Sequence, residues 1–97
     1  MQNNFEIVKN DYQVFLNFIK AKYPMFHNSN FFFRDLQFGI SKFLENKGIK
    51  INNAQAAELA KKISSFFEEK NIFVKVNSFG WRVNYPEFVT KVPGDPI

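Results

Sequence analysis

At 97 residues, with 45% hydrophobic and 23% charged side chains, the chain has the size and balance of one folded domain and is too short for two ordinary cores. Fourteen Phe, three Tyr and one Trp make it 19% aromatic, which excludes disorder, and the absence of cysteine excludes a disulfide framework, a thiolate metal site and a cysteine nucleophile. Thirteen Lys and Arg against nine Asp and Glu give a net charge of +4, which admits a polyanionic partner without demanding one.

No apolar run approaches the roughly 20 residues that cross a bilayer, so no membrane partner is expected. Residues Met1 to Glu6 carry no basic segment and no small-residue cleavage site, and a cytoplasmic location is expected. One domain over 1–97 is expected, with its core in about 8–86 and an irregular tail over 87–97.

The first periodic segment runs from about Val8 to Tyr23. Val8, Tyr12, Phe15, Leu16, Ile19 and Tyr23 fall on one helical face. Asn10 or Asp11 is placed to cap it, and Pro24 pushes Tyr23 toward an extended conformation and ends it. Residues 24–30 then read as a loop.

Ser29 or Asn30 is expected to cap a second helix from about Phe31 to Lys47, with a stripe of Phe32 or Phe33, Leu36, Ile40, Phe43 and Leu44. Gly48 suits the left-handed position after its end. Ile49-Lys50-Ile51 is long enough for a short strand or for a tight turn. Asn52 and Gln55 form a capping-box pair at the start of a third helix that runs to about Lys70. Ala56, Leu59, Ala60, Ile63, Phe66 and Phe67 lie on its apolar face, and Asn71 suits a left-handed cap.

The period then changes from 3.6 to 2. Ile72–Val76 and Trp81–Tyr85 alternate around Ser78-Phe79-Gly80 and predict a β-hairpin, which Pro86 stops. Such a hairpin must lay an apolar face on the helices. The inward candidates are Trp81, Val83 and Tyr85 with Val74 and Val76, while Phe73 competes with Ile72 for the inner face.

The predicted fold class is therefore α+β, a three-helix bundle followed by a C-terminal β-hairpin. That order of elements resembles a winged helix domain. Gly48–Ile63, GIKINNAQAAELAKKI, looks like the turn and third helix of winged helix-turn-helix domains, and the hairpin would be the wing. The resemblance covers about residues 8–86 in element order and rests on no diagnostic motif. No strand is expected between the first two helices, because 24–30 offers no candidate; Ile49–Ile51 could instead join the hairpin as a third strand.

No catalytic constellation is legible. His27 is the single histidine and sits in a loop beside Met25 and Phe26, where a capping or surface role is expected. Glu68 and Glu69 are neighbours on a helix and point in different directions. The other carboxylates are scattered, with Glu58 placed to pair with Lys61 or Lys62. The four glycines, at 39, 48, 80 and 94, form no phosphate loop. No enzyme activity, metal or cofactor is expected.

Two binding readings follow. If the third helix enters a DNA groove, Asn52, Asn53, Gln55, Glu58, Lys61, Lys62 and Ser65 are the side chains on offer, with the acidic Glu58 in the middle of that face counting against the reading. Lys50 in the turn, and Lys75 and Arg82 in the wing, would then meet phosphates. Alternatively, surplus aromatic side chains form a patch for a protein partner or a second copy of the chain. Phe31, Phe32 and Phe33 span about 200° of a helix turn and cannot all face one core. Phe18, Phe26, Phe38 and Phe79 also fall off the main stripes, giving Phe18, Phe26, Phe31, Phe38 and Phe79 as patch candidates. Phe88, also off the stripes, reads as an anchor that tucks a tail over the core.

Overall fold

A computed structural model describes residues 3–23 and 25–86. Pro24, the tail expected from Glu87 onward and its anchor Phe88 lie outside the described residues. The chain is α+β: helices in its first two thirds, then a hairpin that completes a three-stranded antiparallel sheet.

The first helical segment starts earlier than its apolar stripe suggests, and it is broken. Asn3 is its cap, with Oδ1 accepting from the Glu6 amide at 2.8 Å. Helix α1 covers Asn4–Asn10, Asp11 leaves helical geometry (φ −113°, ψ 36°), and α2 covers Tyr12–Lys22. Neither Asn10 nor Asp11 caps with its side chain; Asp11 accepts from the Phe15 amide through its backbone carbonyl. The stripe nevertheless carries across the break, with Val8, Phe15, Leu16 and Ile19 all buried. Tyr23 is extended (φ −130°, ψ 148°), as expected before a proline.

The loop that follows is tied by one hydroxyl. Ser29 Oγ accepts from the Phe26 amide and donates to the Phe26 carbonyl, both at 2.8 Å, so Ser29 closes a turn and caps no helix. Strand β1, Asn30–Phe32, then occupies what periodicity assigned to a helix. The correction has a pairing cause. Phe31 sits opposite Trp81 in the sheet, and this register places Phe31 in the core.

Helix α3, Phe33–Asn46, accordingly begins two residues late and without a side-chain cap. Its first amide, on Phe33, donates to the Phe79 carbonyl at 2.8 Å, so the hairpin turn satisfies a group that helix geometry leaves orphaned. Gly48 closes α3 in the left-handed region (φ 83°). Ile49–Ile51 is a connection and not a strand, with Ile49 and Ile51 half-buried against the core. Helix α4, Asn53–Glu69, carries the expected capping box, both of its bonds being formed, and Asn71 takes the left-handed cap (φ 59°).

Strands β2, Phe73–Asn77, and β3, Gly80–Val83, close the chain's described part, and the strand order is β1-β3-β2. Phe73 pairs with Val83, Val74 with Arg82 and Lys75 with Trp81. A bulge then shifts the register so that Asn77 meets Gly80. The inner face of the sheet is therefore Phe31, Phe73, Trp81 and Val83, all buried. Two inward candidates are corrected by this register: Val74 faces away and is half-buried, and the bulged Val76 is 60% exposed. Ile72, just before the strand, is buried, while Tyr85 lies past it and is half-buried.

Aromatic rings form a continuous spine through this core. Phe15 meets Phe43 edge-on at 5.1 Å and stacks on Phe67 at 6.2 Å. Phe67 then meets Phe73 at 5.0 Å, and Phe73 stacks on Trp81 at 5.0 Å. Each such pair adds about 0.5–1.5 kcal/mol beyond the area it buries.

Candidate nucleic-acid interface

Helix α4 has two faces. Ala56, Leu59, Ala60, Ile63, Ser64 and Phe67 are buried against the bundle. Glu58, Lys61, Lys62, Ser65 and Glu69 lie opposite and are exposed. The expected pairing of Glu58 with Lys61 or Lys62 does not form, whereas Lys42 pairs with Glu45 and Lys47 with Asp11.

Helix α1 lies along one edge of that polar face and turns it into a groove of about 560 Å³. Phe5 and Lys9 line it from α1; Lys61, Lys62, Ser65, Phe66 and Glu69 line it from α4. The Lys9 ammonium stands 5.7 Å from the centre of the Phe5 ring and 5.8 Å from that of Phe66. Lys70 approaches the Phe66 ring at 5.4 Å and the Tyr12 ring at 5.0 Å.

The nine residues expected at a nucleic-acid surface divide into three groups. Lys61, Lys62 and Ser65 share the groove. Lys50, Asn52, Asn53 and Gln55 sit at the other end of α4 and in the connection before it, all exposed. There, the side-chain oxygens of Asn52 and Gln55 accept from each other's backbone amides at 2.8 and 2.9 Å, which holds both side chains in the cap. The Asn53 carbonyl accepts from Gln37 Nε2 at 3.2 Å. The third group is the hairpin pair. Lys75 lies opposite Trp81 and Arg82 opposite Val74, so the two cations emerge on opposite faces of the sheet.

Lys9 was missed by sequence reasoning. The available signal was Phe5 and Lys9 at an i,i+4 spacing, which matters only once the helix is extended to Asn4.

The aromatic candidates also divide. Phe31 is 1% exposed and is a core residue, which corrects its assignment to a surface patch. Phe18 is half-buried, edge-on to Phe43 at 5.5 Å and covered by Lys22. Phe26 and Phe38 are exposed, the latter beneath the Arg34 guanidinium. Phe79 at the hairpin turn is 75% exposed. Phe32, not among the candidates, is also exposed, and its ring lies over Gly80: a Cβ on Gly80 would sit 3.0 Å from Phe32 Cδ1 and from the Phe31 carbonyl oxygen. Phe32 and Phe79 thus flank Gly80 at the hairpin end of the sheet.

His27 Nδ1 is out of contact with solvent and has no hydrogen-bond partner among the described residues. No group of three or more His, Asp or Glu among them is arranged to hold a metal ion, and no helix among them is long and apolar enough to cross a membrane. No protein-family model matches the chain, and no curated protein or solved structure matches it.

Proposed function

We propose that the protein is a non-catalytic, winged-helix-like module that binds duplex DNA through α4 and the hairpin, in the cytoplasm. The observation that carries this reading is the pair Lys61 and Lys62. Both are on the exposed face of the helix that follows the α3–α4 turn, and neither is neutralised by an ion pair among the described residues. Topology supports it. A strand between the first helical segment and α3, absent from the sequence reading, pairs with β3 to give the order β1-β3-β2, so the hairpin extends a sheet anchored to the bundle. Lys50 before α4 and Arg82 on the outer face of β3 are exposed and supply further phosphate contacts.

The test is duplex binding measured across a range of salt. Each phosphate contact contributes about 0.9 to the slope of log K against log salt, so Lys61→Gln/Lys62→Gln should flatten it by about 2, and Lys61→Glu/Lys62→Glu should weaken binding further. Binding absent at low ionic strength defeats the reading.

A second reading has its own observation. Phe32, Val76 and Phe79 put three exposed apolar side chains on the hairpin end of the sheet. This patch fits a protein partner or a second copy of the chain. Sedimentation tests the second copy: self-association that Phe79→Ser abolishes supports it.

A further inference from the structure

We infer that the groove between α1 and α4 is a seat for a phosphodiester of the polynucleotide backbone, with Lys9 as a third phosphate ligand beside Lys61 and Lys62. The inference rests on the DNA-binding reading of α4 and deepens it. It adds a ligand from outside the turn, α4 and the hairpin, and it assigns this part of α4 to backbone contact instead of base readout.

The groove is lined by three lysines from two helices, and Ser65 in the same lining adds a neutral hydroxyl donor. Lys61, Lys62 and Ser65 follow from helical spacing, but Lys9 is there because α1 packs on α4. Its position is held. The rings of Phe5 and Phe66 both lie within 6 Å of its ammonium, which restrains a long side chain that would otherwise lose rotamer freedom on binding. No carboxylate among the described residues forms an ion pair with Lys9, Lys61 or Lys62, and three lysines against Glu69 leave the described lining with a net positive charge.

Glu69 is the one acidic residue among the described residues of the lining, and it sits one helical turn beyond Ser65. A phosphate is therefore favoured at the Lys61–Ser65 end and repelled from the other. A base edge finds little to read. Among the described residues of the lining, Ser65 is the only neutral polar side chain, and both rings already face a cation.

The experiment compares wild type, Lys9→Gln, Lys9→Arg and Lys61→Gln/Lys62→Gln on two unrelated duplexes, over a salt series, with thermal unfolding as a fold control. Lys9→Gln should lower the salt slope by about 1, by the same amount on both duplexes, and Lys9→Arg should restore it. A Lys9→Gln slope equal to wild type, while the double Lys variant loses slope, overturns the groove inference and leaves the α4 reading standing. Wild type without salt-dependent binding to either duplex overturns both. Inorganic phosphate added at constant ionic strength distinguishes the source of the anion. Amide shifts at Lys62 and Ser65 with phosphate alone, and none with duplex, would make this a free-anion site and overturn the inference.

Discussion

Trp81 Nε1 donates to Glu68 Oε2 at 2.7 Å, which fastens the central strand of the sheet to the last full turn of α4. Trp81 is buried and stacks on Phe73, so its indole N–H needs a partner, and the carboxylate reaches it from a half-buried position on the neighbouring element. The bond also accounts for the different settings of the adjacent Glu68 and Glu69. The first ties helix to hairpin, while the second lines the open groove.

Replacing Trp81 by Phe keeps most of the ring and removes the donor. The expected loss is about 1–3 kcal/mol, since the acceptor is charged and only partly shielded from water. Urea unfolding measures it. The amides of β3 should also exchange faster than those of α2, because the sheet loses a tie that the bundle does not use.

The aromatic positions should separate into core and surface on substitution. Phe31→Ser empties a site that is 1% exposed and should cost about 3 kcal/mol or more. Phe79→Ser, at 75% exposure, should change stability by about 0.5 kcal/mol or less. Equal effects in chemical denaturation would contradict the assignment of Phe31 to the inner face of the sheet.

Gly80→Ala should destabilise the hairpin by about 1–3 kcal/mol, because the new methyl meets the Phe31 carbonyl oxygen and the Phe32 ring at 3.0 Å. The same substitution at Gly48 meets no atom within 4 Å, but φ there is +83°, and its cost of about 1 kcal/mol is a backbone cost. A Phe32→Ala background tells the two apart: it should relieve part of the penalty at Gly80 and none at Gly48.

Tyr23 provides a pH handle at the alkaline end. Burial first, and the negative charge of Asp35 second, raise its phenol above the ordinary value of 10.0. The folded state therefore holds that proton more tightly than the unfolded chain. The resulting stability is complete below pH 10 and is lost as pH rises from there through the folded value. Stability curves of wild type and Tyr23→Phe should run parallel at neutral pH, with the variant falling less steeply above pH 10.

Where the signal was local, the sequence was readable. The Asn52–Gln55 box, Gly48 and Asn71 at helix ends, and the extended Tyr23 each depend on a few neighbouring residues and on backbone preferences that those residues carry anywhere. Most of the buried face of α4 was readable for the same reason, since helical spacing assigns Ala56, Leu59, Ala60, Ile63 and Phe67, but Phe66 is half-buried at the groove and Ser64 is buried without having been expected there. Lys61, Lys62 and Ser65 were consequently visible as one exposed group.

What periodicity misassigned was decided by contacts distant in sequence. Phe31 and Phe32 lie just before a helix and fit its periodicity; with Asn30 they are a strand because β3, some fifty residues later, offers backbone partners and an inner face for Phe31. The same pairing, with the bulge after Lys75, moved Val76 out and Phe73 in. Lys9 entered the candidate site because α1 packs on α4, a relation that no spacing encodes. The sequence by itself determined the capping box of α4, the left-handed exits at Gly48 and Asn71 and the amphipathic faces, whose stabilising bonds close within one or two turns, while the caps expected at Asn10 or Asp11 and at Ser29 did not form. Only the tertiary structure decided the third strand, the facing of the hairpin and the groove, because those depend on hydrogen bonds and packing partners that exist only once distant segments meet.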